Sequence, residues 1–287
     1  MVRVLGALLG WLAGSVLRIR RRHVEDSMRA AGIARVAATA RAMYASLGRS
    51  AVEFLWMAAR GRPALAGVRF DEASRVRWQE ALGQGSGVVV AASHTGNWDV
   101  AACAVARDVE ILVVTKHLRV RWLDRFWQTT RARLGVTLSD AHGALSRARP
   151  VLRRGGVVAM MIDQVPLSPS HASPVAFLGQ TAATDRAPAA LAASARVPFV
   201  VAAGRRDASG DQVLHVLDVL HAPARPSRAW VLEATHTATR ALDGFVRAHP
   251  SQWLWLHRRW KPMLRRTSPC RTTPSSSPAA ASPAVSS

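Results

Sequence analysis

The sequence predicts an α/β fold in which helices flank a mostly parallel central sheet. Two observations carry this. Residues 88–93, 110–115, 157–162 and 198–203 are short, nearly continuous runs of Val, Ile, Ala and Met, the pattern of strands buried on both faces. Between most of them lie stretches with helical spacing, and that alternation builds parallel sheets through crossover connections.

Taken in order, residues 4–17 are apolar, with Arg3 before them and Arg18, Arg20, Arg21 and Arg22 after. About 14 residues fall short of the roughly 20 needed to span a bilayer, and a basic cluster follows where a signal peptide would have a small-x-small cleavage site. The expectation is a helix in the membrane interface, its arginines on anionic head groups. Gly6, Gly10 and Gly14 recur every four residues, a stripe suited to close helix contact. Residues 35–60 are amphipathic and helical, 68–70 alternate, 72–82 read as a helix, and the glycines of 83–87 turn the chain into the strand at 88–93. These glycines lack the Lys-Ser/Thr of a phosphate loop. Helices are expected at 98–107, 120–134, 144–154, 184–196 and 229–248, further strands at 136–138 and 213–220, and a polar loop at 165–174. The Ser, Thr, Pro and Ala of 267–287 cannot build a core and read as a disordered tail.

Composition narrows the class. At 49% hydrophobic over 287 residues, the chain is neither disordered nor a polytopic membrane protein, and suits one large domain. A net charge of +21 implies an anionic partner: nucleic acid, acidic lipid or a phosphorylated substrate. Arginine supplies all of the basic count except Lys116 and Lys261. Cys103 and Cys270 form no disulfide framework, which suits a reducing compartment.

The strand at 88–93 delivers His94 to its end, and Gly96 and Asn97 turn the chain into the next helix. His94 and Asp99 are five residues apart, about 500° of helix, so on one straight helix they share no face. Across a strand-to-helix turn they can converge. A carboxylate on the second ring nitrogen fixes an imidazole's tautomer and stabilises its protonated form, as a general base requires. A histidine that merely caps the next helix would leave the same letters. Sites in parallel sheets gather at the carboxyl ends of strands, which places His94 and Asp163 on one rim.

Taken together, HTGNWD (94–99), MIDQ (161–164), FLGQTAAT (177–184) and QWLWLHRRWK (252–261) resemble the late acyltransferases of bacterial lipid A biosynthesis. These belong to the wider group of membrane acyltransferases with a His-x4-Asp/Glu motif. The resemblance runs over residues 6–262, and WLHRRWK is its most specific block. It implies a glycerolipid acyltransferase-like fold and transfer of a fatty acyl group from a thioester to a hydroxyl of a lipid A precursor. The site would lie on the cytoplasmic face of a bacterial inner membrane. Acyl carrier protein or CoA would carry the acyl group, with no metal, no further cofactor and no covalent acyl-enzyme. The implied partners are the anionic inner-membrane surface, the acceptor lipid and acyl carrier protein, and no nucleic acid.

On this reading His94 is the general base and Asp99 orients it, with no need of a serine nucleophile and no GxSxG elbow in the sequence. Backbone amides around Gly96 and Asn97, or an arginine, would hold the oxyanion. Arg131 and Arg133 match an arginine pair of the family after Asp124; Arg131 either meets the catalytic carboxylate or a substrate phosphate, or lies on a solvated helix face. Asp163 and Gln164 match the family's Asp-containing strand end and Arg205 and Arg206 its paired arginines after a strand. Lys116 touches an anionic group or simply ends a strand. The interleaved Trp and basic residues of the closing block, with His257, suit a membrane interface and would also suit nucleic acid; a largely structural role is the alternative. Residues 181–184 would shape the pocket.

Two departures weaken the acceptor assignment: loop 165–174 has prolines and serines in place of glycines, and Asp99 stands where many lipid A enzymes have glutamate. Another glycolipid or a lysophospholipid is the rival acceptor, and a non-catalytic basic membrane- or nucleic-acid-binding protein the rival class. The expected division is an interface helix at 1–22, an acyltransferase domain at 23–266 and the tail. Compared with the resembling family, a further upstream hydrophobic segment is expected to be lacking, so the helix reads as lying on the membrane more than as spanning it.

Overall fold

The structure is a computed structural model describing residues 2–141, 143–166 and 168–261, so the expected tail and Cys270 lie outside the described residues. Helices α1 (Val2–Trp11), α2 (Arg21–Ala30) and α3 (Val36–Arg60) open the chain, with a π-helical turn, Leu12–Val16, after α1. Strand β1 (Val68–Phe70) and α4 (Glu72–Gly83) lead to β2 (Val88–Ala92), α5 (Trp98–Val105), β3 (Ile111–Val114) and α6 (Arg121–Arg133). Then come β4 (Val136–Ser139), α7 (Ala144–Arg153), β5 (Val157–Met161), β6 (Ala172–Phe177), β7 (Gln180–Asp185) and α8 (Ala187–Ala195). The last elements are β8 (Phe199–Arg206), β9 (Gln212–Leu220) and α9 (Arg228–Ala248).

Seven strands form one sheet in the order β1-β9-β8-β2-β5-β3-β4. All neighbours are parallel except β8 and β9, which run antiparallel. The expected fold class is therefore the observed one. The sheet is covered on both faces, which is why its strands are apolar throughout. Val89 and Ala91 point into a core shared with α8, α9 and the amino-terminal half of α3. Val88 and Val90 point into a second core with α5 and the carboxyl-terminal half of α3.

Residues 172–185 depart from expectation. In place of a polar loop running into a helix at Thr184, β6 and β7 form an antiparallel hairpin with Phe177 opposite Gln180. Both turn residues, Leu178 and Gly179, have positive φ (51° and 81°), the backbone that matches strand twist in a two-residue hairpin. Ala, Ser, Pro and Thr conceal these strands because none but Thr favours a strand. Helix α8 therefore starts at Ala187. Strand β8 also runs further than expected, so Arg205 and Arg206 lie within it and pair with Val213 and Gln212.

The glycine stripe of the first helix makes the close contact its spacing predicts. Gly6, Gly10 and Gly14 are buried, and a Cβ on Gly6, Gly10 or Gly48 would overlap backbone of the facing helix. This seats α1 on α3 and leaves Val4, Leu8 and Trp11 more than half exposed on the other side. Among the described residues no single helix is long and apolar enough to cross a membrane; Val2–Val16 and Arg21–Ala30 meet at a bend of 90°.

Candidate active site

His94 and Asp163 face each other because β2 and β5 are adjacent and parallel. The register pairs Ala92 with Met161, and two residues further on the chain delivers both side chains at the strands' carboxyl ends. Asp163 accepts hydrogen bonds from the backbone N–H of His94 and from its Nδ1, both at 2.8 Å, and from Trp253 Nε1, also at 2.8 Å. A carboxylate only accepts, so Nδ1 carries the proton and Nε2 keeps its lone pair. Burial alone would raise the Asp163 carboxyl, but the charge and hydrogen bonds of His94 and the charge of His257 hold it well below the usual carboxylate range.

This corrects the expected pairing of His94 with Asp99. Asp99 lies in the first turn of α5, 3% exposed, with its Oδ1 3.3 Å from Arg131 Nη1 and 3.1 Å from Trp127 Nε1. Burial pushes its carboxyl up, opposed by Arg131, Trp127 and His94. Beside it, burial and the Asp99 charge push the Cys103 thiol up to about 12, which keeps it protonated and poorly nucleophilic.

A cavity of about 1120 Å³ opens at His94. One arm runs beneath α5 along Ala92, Val90, Ala159 and Val113 to Ile111 and Val157, and reaches Phe70 and Trp78, which stack at 5.5 Å. Val157 is level with Val88 in the register, so this arm extends about 20 Å from His94 at the rise of a strand. Its α5 wall, Trp98, Ala101, Ala102 and Val105, is the i, i+3, i+4, i+7 stripe of one helix face. The other arm passes Ala187, Ala190 and Leu191 of α8, and has Lys116, His117, Arg149 and Arg186 around it.

Of the expected site residues, His94, Asp99, Lys116, Arg131 and Gln164 line this cavity and Asp163 stands directly behind His94. Arg131 meets Asp99, as one expectation had it. Four others go elsewhere. Arg133 is exposed on α6. Asn97 caps α5 by accepting from the Val100 N–H, and its amide donates to Glu53 Oε2 at 2.9 Å and to the Ser50 carbonyl. Arg206 is buried against Glu53, Nε to Oε1 at 2.9 Å and Nη2 to Oε2 at 2.7 Å, with Ser46 and Ser50 completing its partners. Arg205 is half-buried beside it in sequence, with no partner for its Nε among the described residues. Asn97 and Arg206 thus fasten α3 beneath the site. Among the expected oxyanion donors, the Gly96 amide is occupied by the Gln252 carbonyl at 2.9 Å.

The closing block is mainly interior, against the expectation of an interface belt. Trp253, Trp255 and Arg259 are at most 1% exposed. Trp253 packs on Trp255 at 4.7 Å and on Phe177 at 5.4 Å. Arg259 donates to the carbonyls of Gln164 and Ala183 and to Thr184 Oγ1; a buried cation needs such partners to offset its lost hydration. Antiparallel pairing of Thr95 with Trp253, and the Leu254 N–H bonded to the His94 carbonyl at 3.0 Å, fasten the block behind the histidine. His257, which sequence reasoning left out of the site, enters the cavity wall 5.0 Å from His94, ring centroid to ring centroid. Its place in the most specific block was the available signal. Among the described residues, no three His, Cys, Asp or Glu side chains converge as metal ligands.

A family model described as bacterial lipid A biosynthesis acyltransferase matches residues 2–262. The chain belongs to that family. It is an acyltransferase, as the opening resemblance implied. A search of the curated proteins returns no match.

Proposed function

We propose that this family member moves a fatty acyl group from a thioester of acyl carrier protein or CoA onto a hydroxyl of a lipid A precursor. His94 acts as general base in this scheme. The observation that carries the reading is the opening of a long apolar cavity at an imidazole whose Nδ1 is bonded to a buried carboxylate. A hydroxyl is a poor nucleophile at neutral pH, and a base with a fixed tautomer and a free Nε2 removes its proton as it attacks. Asp163, more than Asp99, is suited to the orienting role. Asp99 with Arg131 shapes the wall from the other side. The 20 Å arm suits a saturated chain, and the cations of the other arm suit a phosphorylated acceptor.

The same reading places the enzyme on the cytoplasmic face of the inner membrane. Helix α1, within the proposed interface segment 1–22, has its exposed leucines and Trp11 directed at the acyl boundary; the catalytic domain is proposed to span residues 23–266, of which 262–266 lie outside the described residues. Arg18, Arg20 and Arg22 are exposed, whereas Arg21 is half-buried in an ion pair with Glu25.

The test is acyl transfer by detergent-purified protein from labelled acyl carrier protein and acyl-CoA. Acceptors are a tetraacylated lipid A precursor and a panel of lysophospholipids and glycolipids, with His94→Ala as control. A His94-dependent product on the precursor is expected. Product on another lipid alone would change the acceptor, and no product with any pair would overturn the proposal.

A further inference from the structure

The proposed reaction, on which this inference rests, builds an oxyanion on the thioester carbonyl, and that oxygen needs fixed donors. The turn after β2 has few to give. The His94 N–H is bonded to Asp163, the Thr95 N–H to the Ser93 carbonyl and the Gly96 N–H to Gln252. Arg131 is engaged by Asp99, Gln128 and Thr115 through its Nη atoms, and its Nε, without a partner among the described residues, is buried. A different donor stands at the base itself. Gln164 Nε2 lies over the His94 ring, 3.1 Å from Nε2 and 3.3 Å from Nδ1, and 2.8 Å from His257 Nε2, while Gln164 Oε1 lies 3.5 Å from Lys116 Nζ.

Chemistry orients this amide without ambiguity. Lys116 only donates, so the atom facing it is the amide oxygen. The amide nitrogen then donates one hydrogen to His257 Nε2, which must accept, and holds its second over the His94 ring. His94 Nε2 keeps its lone pair free because Nδ1–H is committed to Asp163. His257 Nε2 accepts because the ring is neutral: burial, with the nearby His94, Lys116 and Arg20, lowers its pKa to about 4.

We infer that Gln164 is the side-chain oxyanion donor of this enzyme, held in place by His257 and Lys116. The second amide hydrogen lies against the His94 ring, beside the base. When the acceptor hydroxyl binds His94 Nε2, that hydrogen is available to the carbonyl under attack. The hydroxyl oxygen bonds to the carbonyl carbon, its proton passes to His94 Nε2, and the π electrons move onto the oxygen that Gln164 meets. Collapse restores the carbonyl and breaks the C–S bond, and the leaving thiolate takes the proton from His94. Gln164 touches the reacting atoms; His257 and Lys116 are positioning residues.

The experiment compares kcat and KM in the transfer assay for Gln164→Met, His257→Leu, His257→Gln and the double variant Gln164→Met/His257→Leu. Gln164→Met keeps the bulk and removes the donor, and kcat is expected to fall on the order of 10²-fold or more with both KM values nearly unchanged. His257→Leu is expected to lower kcat about tenfold, and His257→Gln, whose carbonyl can accept from Gln164, to recover most of it. In the Gln164→Met background His257→Leu should cost nothing further, since the two act as one unit. A Gln164→Met enzyme with unchanged kcat, or a His257→Leu cost that is equal in both backgrounds, would overturn the inference alone and move the donor to the first-turn amides of α5. Wild-type protein without transfer would overturn the acyl-transfer reading and this one with it.

Discussion

Asp163 holds His94 twice, accepting from its backbone N–H and its Nδ1–H at 2.8 Å each. The first bond fixes where the strand end lies and the second fixes the ring, so the imidazole has little freedom to turn. Trp253 adds a third hydrogen bond to the same carboxylate. This is how the closing block, more than 150 residues further along the chain, comes to support the histidine.

His257 makes the fold acid-labile in a defined window. Its pKa is lowered from 6.5 to about 4 by burial and by His94, Lys116 and Arg20, against the attraction of Asp163. A depressed folded pKa means that the unfolded chain binds the proton first. The stability is therefore present above pH 6.5 and is lost as pH falls toward 4, by up to about 3 kcal/mol. Chemical denaturation from pH 7 to 4 should show this loss, and His257→Gln should reduce it. An unchanged pH slope in that variant would refute the assignment.

Glu53 and Arg206 form a bidentate pair beneath the site, joined by Asn97, Ser46 and Ser50. Burial raises the Glu53 carboxyl, but Arg206, Asn97 and Arg49 bring it net below the usual range. Glu53→Ala leaves Arg206 buried without its carboxylate and is expected to cost about 3 kcal/mol or more. Replacing Arg206 by Met as well should recover part of that loss. Urea midpoints measure both, and a Glu53→Ala change within about 0.5 kcal/mol would place the pair among the inconsequential ones.

The arm under α5 gives a prediction about chain length. Ala102 lines it between Trp98 and Val105, and Ala102→Phe fills the space that a long acyl chain would use. The expected result is a loss of roughly tenfold or more in kcat/KM for long-chain donors, with short-chain donors spared. An equal loss at every chain length would show that the chain lies elsewhere.

Much of this was legible in the sequence. Continuous apolar runs mark the parallel strands, and the strand-end rule puts His94 and Asp163 on one rim. The order of strands was not legible: only the β2–β5 adjacency decides that Asp163, and not Asp99, reaches Nδ1. The 172–185 hairpin was hidden by small, weakly strand-forming residues and by a Leu-Gly turn. Arg206, Arg259, Trp253 and Trp255 read as surface chemistry because charge and indole were judged by residue type. The partners of Arg206, Arg259 and Trp253, namely Glu53, Gln164, Phe177 and Asp163, lie far away in sequence, so their burial is not legible locally.

The most direct test of the account is single-turnover acyl transfer by Asp163→Asn and Asp99→Asn, with melting temperatures measured alongside. An asparagine at 163 can favour the wrong His94 tautomer, and the account predicts a rate loss on the order of 10³-fold or more. Asp99→Asn should cost about tenfold or less in rate, its main effect being lower stability from the Arg131 left buried beside a neutral group. An enzyme disabled by Asp99→Asn and little changed by Asp163→Asn would contradict the account.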